Sequence, residues 1–107
     1  MSQVTDTDVV MKLIVPSGNA RSEAIRAIEL ARKGSFDEAE DKIEAAQQSL
    51  NEAHECQSEI IRAALNGEGE SAVSLVMAHG QDHLMNAITI CELAKQMVLM
   101  MRESNDR

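Results

Sequence analysis

Three long stretches in which apolar side chains recur at alternating three- and four-residue steps, parted by two glycine-centred breaks, leave this 107-residue chain little choice but to pack helix on helix. The first stretch runs from about residue 6 to 33, with Val10, Leu13, Ile14, Ser17, Ala20, Ala24, Ala27, Ile28 and Ala31 on one side. Arg32 and Lys33 then place cations at the negative end of the helix dipole, and Gly34 tolerates the left-handed backbone that ends it. Ser35-Phe36-Asp37-Glu38 has the pattern of a capping box, so a second helix is expected over 36–65. Its seam is Phe36, Ala39, Ile43, Ala46, Leu50, Ala53, Gln57, Ile60 and Ala64. Asn66-Gly67-Glu68-Gly69 supplies the second break. A third helix follows over 70–103, with Ser104 to Arg107 fraying. Pro16 and Gly18 interrupt the first pattern, because proline lacks an amide donor and crowds the preceding turn; a kink or break is expected there.

The expected architecture is therefore all-α, one antiparallel three-helix bundle in a single domain spanning 1–107. Composition agrees, with Phe36 the only aromatic residue and good helix formers dominant. The third helix carries more than a bundle needs. Val73, Met77, Gly80, Leu84, Ala87, Cys91, Ala94, Val98 and Met101 form one seam. Ala72, Val76, His79, His83, Asn86, Ile90, Leu93, Met97 and Met100 form a second, about a third of a turn away. Two partner helices cannot cover both, and Met85, Ile88 and Leu99 add to the excess, so self-association with the third helix central is expected. The methionines read as adaptable packing residues rather than a thioether metal site.

A net charge of -8 disfavours binding to nucleic-acid backbones and anionic membranes. No run approaches the ~18 consecutive apolar residues of a membrane span, so a cytoplasmic protein without direct membrane insertion is expected. Cys56 and Cys91 lack CxxC spacing and read as reduced thiols in helix packing. The acidic run Asp37 to Asp41 reads as a solvated first turn favoured by the dipole.

Chemistry concentrates in one place. His79, Asp82 and His83 stand at i, i+3 and i+4 on one flank of the third helix. Near neutral pH an imidazole offers one unprotonated nitrogen able to attack phosphorus, and a partner on the ring can fix its tautomer. Two other readings fit the same residues. One is an acidic, non-catalytic helical adaptor in which His79 merely packs; the other is a metal-dependent enzyme with His79, Asp82 and His83 as ligands, which lacks the usual division of roles between ligands and base.

The run His-Gly-Gln-Asp-His-Leu-Met-Asn from His79 to Asn86 resembles the signature of the lactose/cellobiose-family enzyme IIA proteins of the sugar phosphotransferase system. The likeness continues in Val9-Val10-Met11 with Leu13-Ile14, in Ser17 to Ser22, and in Leu50 to His54 with Gln57, and so covers nearly the whole chain. Pro16 departs from it, since a non-proline residue generally precedes the Ser-Gly pair. The resemblance implies a homotrimer of three-helix units with the active histidine near a cleft between subunits. It implies that His79 accepts a phosphoryl group from the phosphocarrier protein HPr and passes it to a cysteine of the cognate enzyme IIB, for uptake of a β-linked disaccharide of lactose, cellobiose or chitobiose type. Asp82 matches the position where three carboxylates meet at the trimer axis and share a magnesium ion (Mg2+). Gln81 and His83 are candidate supports for the phosphoryl group, although the helical wheel sets Gln81 well away from His79 on its own subunit. His54 fits the family pattern without a chemical role.

Overall fold

The computed structural model describes residues 5–66 and 75–106. Thr5 opens the first helix. Its amide and hydroxyl both donate to Asp8 Oδ2 (3.1 and 3.0 Å), and the Asp8 amide donates back to Thr5 Oγ1 at 3.1 Å. This reciprocal cap satisfies amides that the first turn leaves free. The bonds from the Thr5 backbone and then its hydroxyl hold the Asp8 carboxyl below its ordinary range. The cap therefore stabilises the fold above the ordinary aspartate pKa and is lost as the pH falls through the lowered one.

Helix α1 is one rod over residues 6–32, built from an α-helical turn Asp6–Val9, a π-helical segment Val10–Ile14 and an α-helical stretch Val15–Arg32. The expected break at Pro16 does not occur. The Val15 amide donates to Val10 O, five residues back, so the turn before the proline is wider than an α-turn. Pro16 then falls at the start of the α-helical stretch, where its missing amide is least costly. Pro16 and Ser17 are both buried.

The α1 end is closed as the Arg32-Lys33-Gly34 run implies. Ser35 N donates to Leu30 O at 2.9 Å and Gly34 N to Ala31 O at 3.0 Å, a paired closure with Gly34 at φ +83°. A Cβ at Gly34 would meet nothing within 4 Å, so only backbone strain opposes a side chain there. Gly34→Ala is expected to cost about 1–2 kcal/mol. A urea transition with an unchanged slope and a lower midpoint would register this, whereas an unmoved midpoint would contradict the left-handed cap.

Helix α2 covers Phe36–Leu65, with Ser35 O accepting from Ala39 N at 2.9 Å. Helix α3 covers Leu75–Asn105. The expected start of this helix at Glu70 lies outside the described residues, as do Ala72 and Val73 and the glycines of the second break. Its far end runs on through Ser104 and Asn105, which had been expected to fray. A helix of 30 residues is about 45 Å long. The molecule measures 56 × 20 × 20 Å, so the three rods lie side by side.

The core is made of small residues, which lets the helix axes approach closely. Val9, Leu13, Ala20, Ala24, Ala46, Leu50, Ala53, Leu84, Ala87 and Ala94 are buried together, and Ala27, Leu30, Ala31, Ala39 and Val98 continue the seam toward the turn between α1 and α2. At that end Arg102 of α3 reaches Asp37 (3.3 Å) and Glu40 of α2, with its guanidinium 5.8 Å from the Phe36 ring centroid. Cys56 and Cys91 are free and buried, and loss of water raises both thiol pKa values. Cys91 Sγ donates to Ala20 O at 3.6 Å.

One α3 face packs inward through Gly80, Leu84, Ala87, Cys91, Ala94 and Val98. The second stripe is uncovered toward its far end, where Leu93, Met97 and Met100 are 53%, 42% and 65% exposed, while Val76 and Ile90 are partly buried against the core. Helix α3 is long and apolar enough to cross a membrane by length and mean hydropathy, yet only 28% of its most apolar window is buried in the chain. Its hydrophobicity thus exceeds what its own bundle uses, and the surplus lies on the surface.

Candidate active site

Gly80 organises this region. An added Cβ would stand 2.7 Å from Val9 Cγ1 and 2.9 Å from Leu13 Cδ2, so the glycine lets the start of α1 settle directly on α3. At about 100° per residue, the neighbours of Gly80 are thrown to opposite sides of that contact. His79 and His83 emerge on one side and Gln81 on the other.

On the histidine side, His79 is exposed and His83 half-buried. Their Nε2 atoms are 3.0 Å apart, and the rings meet edge to face with centroids separated by 4.5 Å. At that distance the two Nε2 atoms form a hydrogen bond when one ring carries its proton on Nε2 and the other on Nδ1, the tautomers deciding which donates. A nucleophilic nitrogen and a hydrogen-bond donor are thereby held side by side on a rigid helix.

On the other side, Gln81 is half-buried. Its Oε1 accepts from Gln57 Nε2 of α2 at 2.7 Å. Gln57 lies on the expected seam of α2, and its bond depends on how α2 is rotated against α3, which neither segment encodes. The pair ties the two helices one residue beyond Gly80. Gln57→Leu is expected to lower stability by about 1 kcal/mol, and a double-mutant cycle with Gln81→Leu should assign most of that to the pair. Strictly additive single losses in urea denaturation would deny the coupling.

Asp82 is exposed, and no cation pairs with it among the described residues. It does not join the two imidazoles in a metal cluster: among the described residues no group of three or more His, Cys, Asp or Glu side chains is placed to hold an ion. The three-ligand enzyme reading therefore has no preassembled centre. His54 is exposed on α2.

The family model described as "PTS system, Lactose/Cellobiose specific IIA subunit" matches residues 8–102. The chain belongs to this IIA family. It is a phosphocarrier component of the sugar phosphotransferase system. The lichenan-specific phosphotransferase enzyme IIA component of Bacillus subtilis is 38% identical over 90 residues, covering 84% of this chain and 81% of the relative. The crystal structure of the cellobiose-specific enzyme IIA from Bacillus anthracis superposes with a TM-score of 0.89 at 37% identity, covering 99% of this chain and 96% of that one. The Escherichia coli IIA(Chitobiose), solved in solution in complex with HPr, superposes with a TM-score of 0.77 at 33% identity over 94% of this chain and 97% of its own. The resemblance drawn from His79 to Asn86 is thus the right one, and the family assignment displaces the adaptor reading.

Proposed function

We propose that this IIA chain accepts its phosphoryl group on His79 from HPr and delivers it to a cysteine of its enzyme IIB, in the cytoplasm, for uptake of a β-linked disaccharide. The observation that carries this reading is the exposed His79 ring with His83 Nε2 at 3.0 Å. With His83 as the donor, His79 keeps its own proton on Nδ1 and a lone pair on Nε2. An arriving phosphoryl group replaces the hydrogen bond at that lone pair, and the His83 Nε2–H is left beside the phosphoryl oxygens as they leave the donor protein. Positioning supplies most of the rate, because both donor and acceptor are phosphohistidines and the step is nearly balanced. The IIA–HPr complex known for the chitobiose relative supports HPr as the donor.

The assembly proposed is a homotrimer with α3 at its centre, in which the exposed Leu93, Met97 and Met100 face other copies. Asp82 is placed at the axis as a ligand of Mg2+. An oxygen donor suits that ion, and a chain supplying one unpaired carboxylate completes a site only when copies converge. The ion, when bound, neutralises carboxylates that would otherwise repel. Gln81 is engaged with Gln57 within the chain through its oxygen, which leaves its amide hydrogens to reach a neighbouring copy.

The test is to incubate the chain with phosphoenolpyruvate, enzyme I and HPr. The expected product is an acid-labile, base-stable adduct whose phosphorus couples in NMR to the His79 ring. An adduct on His54, or none, would refute the assignment. Light scattering on the same sample should give three chains per particle, and a concentration-independent monomer would remove the trimer.

A further inference from the structure

We propose that His79 and His83 form a bidentate binding site for a late first-row transition-metal ion, Zn2+ above all, whose occupancy excludes phosphorylation of His79. Both Nε2 atoms belong to one rigid helix, four residues apart, and converge at 3.0 Å. Two imidazoles bound to one zinc at about 2.0–2.1 Å have their nitrogens about 2.9 Å apart at a right angle and about 3.4 Å apart at a tetrahedral angle. The free protein already holds the pair within that range, so an ion enters by small rotations of two side chains. No backbone shift is needed.

The donor set selects the ion. Neutral imidazole nitrogens suit Zn2+, Cu2+ and Ni2+ and are poor ligands for Mg2+, so this site is chemically separate from the carboxylate of Asp82. The chain contributes two ligands, and water fills the remaining positions, since no third His, Cys, Asp or Glu joins them among the described residues. Binding is therefore reversible and of chelate strength rather than that of a structural zinc. The proton that bridges the two Nε2 atoms moves through solvent to the Nδ1 of its own ring, leaving both rings neutral with both lone pairs on the metal. No net proton is released by this change of tautomer. Both thiols are buried in the core and do not compete for the ion.

Exclusion follows from shared atoms. The lone pair that takes the metal is the one assigned to phosphorus, so this half of the proposal rests on His79 as the phosphoryl acceptor. A chain loaded with Zn2+ is blocked until the ion leaves, and a phosphorylated chain has no bidentate site.

The untagged chain, in excess Mg2+, is titrated with Zn2+ by calorimetry. One ion per chain is expected, with the His79 and His83 ring resonances shifting and that of His54 unmoved. His79→Gln and His83→Gln should each weaken binding about tenfold or more, since either removes the chelate, while His54→Gln should not. Unchanged affinity in both site variants, or unmoved His79 and His83 resonances, overturns the site. The second arm adds Zn2+ to the HPr-driven reaction, and loss of phosphoryl uptake restored by chelator is expected. Zn2+ bound through both rings with full uptake on His79 overturns the exclusion. Zn2+ bound through both rings with uptake on another residue instead refutes the acceptor assignment and leaves the metal site standing.

Discussion

His79→Gln is expected to take up no phosphoryl group from HPr while folding as the parent does. The side chain is exposed and its one polar contact among the described residues is with His83, so the substitution should alter stability by no more than about 0.5 kcal/mol. A carboxamide has no nucleophilic nitrogen, and a missing nucleophile cannot be made up by positioning, so the loss should be complete. His83→Gln is different in kind. It removes a donor placed beside the reacting nitrogen while sparing the nucleophile, and uptake should slow by about 10²-fold without vanishing. The two variants separate roles that the geometry alone leaves symmetric, since each ring has its Nε2 in the shared hydrogen bond. Stopped-flow or quenched phosphorylation with ³²P-labelled donor reads both. If the adduct survived in His79→Gln and disappeared in His83→Gln, the acceptor would be the other ring.

Gly80→Val should be the most damaging single change to the fold near the site. Its Cβ alone would lie 2.7 Å from Val9 Cγ1 and 2.9 Å from Leu13 Cδ2, and both those side chains are fully buried. Valine at position 9 is β-branched and stiff, so it has no free rotamer with which to yield. Alanine at position 80 would recover about 1 kcal/mol of helix propensity against an overpacking cost of about 1–3 kcal/mol, leaving a small net loss. Valine adds two more methyl groups to the same gap, and about 3 kcal/mol or more of destabilisation is expected. The effect should reach the chemistry, because α1 must move away from the turn of α3 that carries His79 and Gln81. Combining Gly80→Ala with Val9→Ala should restore stability beyond the sum of the separate changes. Denaturation curves on the four proteins test this, and a Gly80→Val protein as stable as the parent would mean that α1 does not rest on α3 here.

The three helices were legible because their apolar positions repeat over many turns, and a long periodic signal survives local irregularity. Gly34 was legible because a cationic last turn followed by glycine ends helices for a local reason, and the closing bonds from Gly34 and Ser35 are made within six residues of chain. The π-helical segment was not, because its evidence is a phase slip of one residue over five, too short to separate from noise where all but Lys12 from Val9 to Val15 is apolar. Pro16 pointed at the right place: the chain does not break there, and the irregularity takes the form of a widened turn just ahead of it. The end of α3 was set two residues early because Ser104 and Asn105 are weak helix formers, whereas here they continue a 31-residue rod. Around the site, the i, i+4 spacing foretold that the two imidazoles would share a flank. That Gln81 would bind Gln57, and that Val9 and Leu13 would rest on Gly80, depend on the rotation of one helix about its axis relative to another, which no single segment encodes. The uncovered stripe of α3 could be inferred from surplus hydrophobicity alone.

The π-helical segment holds, in effect, one residue more than an α-helix of the same rise requires. Upstream and downstream of it the faces of α1 are set at different angles about the helix, so Val9 rests on Gly80 while Ser17, Ala20 and Ala24 are also buried. One extra residue thus lets a single helix present two differently aimed faces to the same pair of partners.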